Sequence, residues 1–266
     1  MPWTETSSAS FVVRHEAADA GHAEDLLSDL EGFRAELAGS FERVPGDIAV
    51  VMHPRSLALA LAQPWLPLAR LAAEPGSRRY MAGSFWRREL HVLSPDALDA
   101  RASAVAGSRE ALLLSPLREY AQLVIGANSP ELPPPFTTAS LRAHLRWAWL
   151  SEGAATHLCG QTPYLRGAIA RRLHEPRQPA FPPAARDAPL LGCTVVAMLD
   201  REAGREALVR FLSRPLGATG PAAIERAFGR PAGAVERDWR ELLGRLRSRA
   251  GDDGDLAPER VRNRTS

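Results

Sequence analysis

The most constraining feature of this chain is the order of its apolar patterns. Short extended-type runs and helical runs alternate over the first hundred residues, and helical periodicity alone follows. Residues 10–14 (Ser-Phe-Val-Val-Arg) and 47–52 (Asp-Ile-Ala-Val-Val-Met, after a Pro-Gly turn) read as strands. Between them, Leu26, Leu30, Phe33, Leu37 and Phe41 recur at steps of three and four and predict a helix over about 18–41. Residues 55–73 read as helical, with breaks at Pro64 and Pro67, and residues 80–86 and 89–93 turn strand-like. Ser94-Pro95 then supplies an N-cap and a first-turn proline. The predicted fold class is therefore α+β, a small mixed N-terminal sheet with packed helices followed by a mostly helical C-terminal part. A disordered lead is expected over 1–9, an α/β part over 10–106, a helical part over 107–247 and a disordered tail over 248–266.

In the second part, Leu112, Leu113, Leu117, Tyr120, Ala121 and Val124 form a broad apolar stripe over 109–126. Pro116 lies inside it, so the helix either begins at Ser115-Pro116 or kinks there. A proline-rich loop over 128–138 leads to a helix through His144, which continues or restarts into Trp149-Leu150-Ser151-Glu152. Further helical segments are predicted at 163–173, 190–199, 204–212, 221–228 and 232–246, with a proline-rich loop over 175–189.

Composition narrows the function classes. The chain has 266 residues, 45% of them hydrophobic, enough for a substantial core. All 33 basic residues are arginine and the formal net charge is +2, so no global field calls for nucleic acid. The abundance of Arg and Ala is the mark of a GC-rich genome. Cys159 and Cys193 are expected as buried thiols, too few for a disulfide scaffold. The first ten residues lack the pattern of a signal peptide, and the most apolar stretch, 57–73, is too short and interrupted to span a bilayer. A cytoplasmic protein without a membrane or nucleic-acid partner is expected. No phosphate-binding glycine loop, nucleophile elbow or Cys-x-x-Cys pair is present.

Two segments carry chemistry-bearing residues: Arg118-Glu119-Tyr120-Ala121-Gln122, and Trp149-Leu150-Ser151-Glu152-Gly153-Ala154-Ala155. Together and in this order they resemble the two metal-site helices of the gluzincin-type (thermolysin-like, peptidase MA) zinc metallopeptidases. That family carries H-E-x-x-H on one helix and a glutamate ligand in W-L-x-E-G-x-A on the next. The separation from Gln122 to Glu152 is 152 − 122 = 30 residues, suited to consecutive helices. The pattern Ala227-Phe228-Gly229 with Glu236-Arg237-Asp238-Trp239 resembles the family's C-terminal helices. The resemblance implies a gluzincin-like fold, with Glu119 at the position of the general base and Glu152 at that of the third zinc ligand. His157 stands where the family often has tyrosine.

At both histidine positions the chain departs from the family. Two ligands four apart share one helix face and can grip one ion, but zinc needs lone-pair donors. Arginine has none and stays cationic, and Gln122 offers only an amide oxygen. The expectation is a pseudoenzyme: no zinc or other cofactor, an Arg118–Glu152 ion pair sharing Glu119 in the metal's place, and a cleft that binds a peptide or protein ligand. The rival expectation is an active zinc peptidase using other ligands. His144 and Cys159 lie eight and seven residues from Glu152, about 12 and 10 Å along a regular helix, and His157 lies on a different face. None is expected to share an ion with Glu152.

Overall fold

A computed structural model describes residues 3–129, 131–132, 138–217 and 219–249. The expected tail from 250 onward, and most of the proline-rich loop at 130 and 133–137, lie outside the described residues.

The protein is a mixed α+β structure. Five strands, β1 (Trp3–Ser7), β2 (Phe11–Glu16), β3 (Ile48–His53), β4 (Ser84–Trp86) and β5 (Glu89–Leu93), form one sheet in the order β1-β2-β3-β5-β4. The central pairs β2/β3 and β3/β5 are parallel, and the two edge strands are antiparallel to their neighbours. The parallel pair β2/β3 requires a crossover, which α1 (Ala20–Ala38) supplies.

Strand alternation decides which face is covered. Phe11, Val13, Ile48, Val50, Met52, Leu90 and Val92 share one face by register and are buried. Onto this face pack α1 and α7 (Ser115–Asn128), through Leu27, Leu30, Phe33 and Tyr120. The Tyr120 ring meets Phe11 edge-on at 5.1 Å, and its hydroxyl donates to the Pro45 carbonyl at 2.7 Å.

Within the segment expected as a disordered lead, Trp3–Ser7 forms β1 instead. Its residues are mostly exposed and polar, so no apolar alternation marks it. The strand is held by backbone pairing with β2 and by cross-strand contacts, Glu5 with Arg14 at 2.8 Å and Thr6 with His15 at 2.8 Å.

Between β3 and β5 run α2 (Ser56–Ala62), α3 (Trp65–Ala72) and the single turn α4 (Pro75–Arg78), followed after the sheet by α5 (Pro95–Asp99). Ser94 caps α5 by accepting from the Ala97 amide. The Pro116 alternative resolves into a new start: α6 (Ser108–Leu113) ends at Leu114, and α7 begins at Ser115 with proline in its first turn. A 21-residue helix, α8 (Thr138–Leu158), follows without a restart. The remaining helices are α9 (Arg166–Leu173), α10 (Ala188–Ala203), α11 (Arg205–Leu212), α12 (Gly220–Phe228) and α13 (Ala232–Arg249). One buried apolar cluster runs from Phe11 on the sheet to Leu243 on α13, so sheet and helices share a core.

Candidate functional site

Helix α7 is buried on every side from Ser115 to Ile125. A charged or amide side chain buried on such a helix loses most of its hydration, so partners inside the protein must replace it. Arg118 and Gln122, one turn apart, point toward α8, and Glu119 lies beside them. Helix α8 brings Glu152 to meet them.

The close approach of α8 to its neighbour α10 has a simple cause. A Cβ on Gly153 would lie 2.3 Å from the Gly192 carbonyl carbon, and one on Gly192 would lie 2.4 Å from the Trp149 oxygen. The two glycines let the helix backbones touch, which fixes Glu152 in depth.

The resulting cluster is compact. Arg118 Nη1 donates to Glu119 Oε1 at 2.8 Å, and Arg118 Nη2 donates to Glu152 Oε2. Gln122 Nε2 donates to the same Glu152 oxygen at 3.0 Å. All four side chains are buried. The ion pair expected between Arg118 and Glu152, shared with Glu119, is thus formed. Gly83, just before the edge strand β4, makes room for it: a Cβ there would lie 2.8 Å from Glu119 Cγ and 3.0 Å from the His91 carbonyl oxygen.

Two carboxylates facing one guanidinium leave a buried excess of negative charge. Burial pushes Glu119 up, Arg118 pulls it back, Glu152 raises it and Arg70 lowers it, leaving it at about 7. Burial works against the charge of Arg118, but Glu152 and Glu119 outweigh it and the guanidinium is held protonated more firmly than usual. The thiol of Cys159 is pushed up to about 12, chiefly by burial, and Cys193 likewise. Neither is a thiolate nucleophile or a ready metal ligand at neutral pH.

Glu119 gives a pH prediction. Its folded value lies above the ordinary 4.5, so its stabilising contribution is complete below about 4.5 and is lost as pH rises through about 7. His53 has the opposite sign: burial, then His91, depress it to about 4, so its contribution is lost as pH falls below 6.5. A difference measurement isolates Glu119. Relative to Glu119→Gln, the wild-type unfolding free energy is expected to fall by on the order of 3 kcal/mol from about pH 5 to about pH 8. Parallel urea titrations of the two proteins check this, and parallel pH curves would refute it.

Of the histidines weighed on α8, His157 lies on a different face from Glu152, as expected, and His144 comes closer to Glu152 than expected. His157 does not join the cluster: its Nε2 contacts Asp200 Oδ2 on α10 at 2.6 Å, because five residues along α8 turn it well away from Glu152. His144 does approach: its Nε2 lies 3.8 Å from Glu152 Oε1. Eight residues are close to two full turns, so the two side chains share a face and reach across the rise between their backbones. Reasoning from backbone rise alone misses this. A second buried ion pair, Arg172 with Asp187 at 2.7 Å, ties α9 to the start of α10 and carried no sequence signal.

The cluster forms the floor of a cleft of about 420 Å3, walled by apolar side chains including Trp65, Leu68, Phe85 and Leu145. Among the described residues, no three His, Cys, Asp or Glu side chains are grouped to hold a metal ion. Comparison with protein families, with curated proteins and with solved structures finds no match.

Proposed function

We propose that the protein is a catalytically inactive, metal-free counterpart of the gluzincin peptidases that binds a peptide or protein segment in this cleft. One observation carries the reading: the Arg118 guanidinium lies between the two carboxylates that the resemblance equates with the general base and a zinc ligand. The residues present do not fit a zinc ion. A protonated guanidinium offers no lone pair and repels a cation, and the Gln122 amide nitrogen already donates to Glu152. The cleft itself supports binding. It is bounded by apolar walls, has a polar floor and borders the edge strand β4, a place where an extended segment can add by strand pairing.

Elemental analysis of the purified chain is expected to find zinc far below one ion per chain, and chelator is expected to leave the melting temperature unchanged. No peptide cleavage is expected with or without chelator. Stoichiometric zinc with chelator-sensitive cleavage would establish the rival reading, an active peptidase with other ligands. The binding arm uses a displayed library of extended apolar peptides. Enrichment on the wild type and its loss on Leu145→Asp, at the exposed mouth of the cleft, support the proposal. No enrichment counts against it.

A further inference from the structure

The stretch 57–73 is the most apolar of the chain, and the core does not absorb it. Helices α2 and α3 are apolar apart from Ser56 and Arg70, yet Leu59 and Leu66 are their only buried residues. A helix that is hydrophobic all round belongs in an apolar medium. Here Leu57 (69%), Leu61 (75%), Leu68 (68%) and Leu71 (68%) stand in solvent, with Trp65 and, on α8, Leu145 exposed beside the cleft mouth. Leu57, Leu61 and Leu71 protrude and do not line the cleft, whereas Leu68, Trp65 and Leu145 stand at its rim.

The two chain segments that carry this surface bear charge of one sign. No Asp or Glu occurs from residue 48 to 73 or from 132 to 151, while Arg55, Arg70, Arg142 and Arg146 do. Arg70 is used internally, donating to the Met81 carbonyl. Arg55, Arg142 and Arg146 are exposed and have no carboxylate partner among the described residues. Arg142 and Arg146 flank Leu145 on α8.

We propose that this surface docks the protein onto an anionic lipid bilayer, with Leu57, Leu61, Trp65, Leu68 and Leu71 entering the interface and the arginines meeting lipid phosphates. Protruding leucines flanked by arginines have the make-up of an interfacial helix, with apolar side chains for the acyl boundary and cations for anionic headgroups. An interfacial tryptophan and flanking arginines suit the headgroup layer. A second copy of the chain would set arginine against arginine. A peptide held in the cleft would leave Leu57, Leu61 and Leu71 uncovered, since they do not line it. No described helix is long and apolar enough to cross a membrane. The expectation of no membrane partner rested on that length, which interfacial docking does not require. Trp65, Leu68 and Leu145 also line the cleft, so its mouth would open at the lipid surface.

The test is flotation of the full chain with vesicles of phosphatidylcholine alone or mixed with phosphatidylglycerol, together with tryptophan emission. Flotation is expected only with the anionic vesicles, weakening as salt rises, with a blue shift of the emission. Leu61→Ser with Leu71→Ser is expected to weaken binding at least about ten-fold. Arg142→Gln with Arg146→Gln is expected to weaken it about twenty-five-fold. Both pairs are exposed, and unchanged circular dichroism confirms that they fold. The proposal is overturned if the wild type ignores both vesicle types, or if the variants float as well as it does. It is equally overturned if the leucine pair abolishes self-association or peptide capture in a wild type that does not float. Cleft binding and vesicle binding are read on different substitutions, so either can fail alone.

Discussion

Arg118→Met is expected to destabilise the protein by about 3–5 kcal/mol, the usual cost of removing one partner from a buried ion pair. For a chain of this size that corresponds to a fall in melting temperature of roughly 6–20 °C. Methionine keeps much of the arginine volume, so the loss reads charge and not cavity. The substitution leaves Glu152 with Gln122 and His144 as neighbours and Glu119 with no donor on α7. Because Glu119 already sits at about 7, it escapes by taking a proton. The deficit should therefore shrink toward about pH 5, where protonation is cheaper. Adding Glu119→Gln and Glu152→Gln to Arg118→Met removes all three charges and is expected to recover more than half of the lost stability, a strongly non-additive result. Denaturant unfolding of the wild type, Arg118→Met, the double variant Glu119→Gln with Glu152→Gln, and the triple variant checks both points. If Arg118→Met alone matches the wild type, the cluster contributes nothing as a unit.

The legible parts of the fold were those with one dominant physical cause. Helix α1 follows from apolar residues at steps of three and four, and Phe33 and Leu37 are buried as that spacing requires. The cap at Ser94 is local chemistry and is formed. The boundary at Pro116 could be narrowed to two choices because proline permits a first turn or forces a kink, and tertiary packing makes the choice. Strand β1 was not legible, since an edge strand held by backbone pairing and charge pairs need not carry an apolar pattern. At the site, the resemblance implied that residues 118 and 152 lie side by side, and opposite charge then made Arg118 and Glu152 the expected pair. The approach of His144 depended on side-chain reach over two turns, which spacing along the axis does not convey. Gly153 appeared in the sequence as part of a motif. Its physical reason, backbone contact with Gly192, needs both helices in place. The exposed leucines of α2 and α3 were visible as composition, but composition could not say that they remain outside the core.

The double substitution Arg118→His with Gln122→His tests the proposed kinship of the site with a metal centre. In the wild type, the head groups of residues 118 and 122 already converge on one oxygen of Glu152. Histidines at these positions would present two neutral nitrogen donors from one helix face, with the Glu152 carboxylate opposite, the donor set zinc prefers. The same change removes the permanent cation that now excludes a metal ion. Without metal, the variant should resemble Arg118→Met, since Glu119 and Glu152 again lose their guanidinium. Added zinc should bind at one ion per chain and restore stability, by about 2.7 kcal/mol when free zinc is a hundred-fold above its dissociation constant. The wild type should show no such rise. Isothermal titration and melting curves with and without zinc make the comparison. Changing Glu152→Ala in the double variant should abolish the gain if Glu152 is the third donor. If the variant folds and ignores zinc, the convergence on Glu152 is a structural ion-pair network only, and the likeness of the two helices to a metallopeptidase site loses its physical basis.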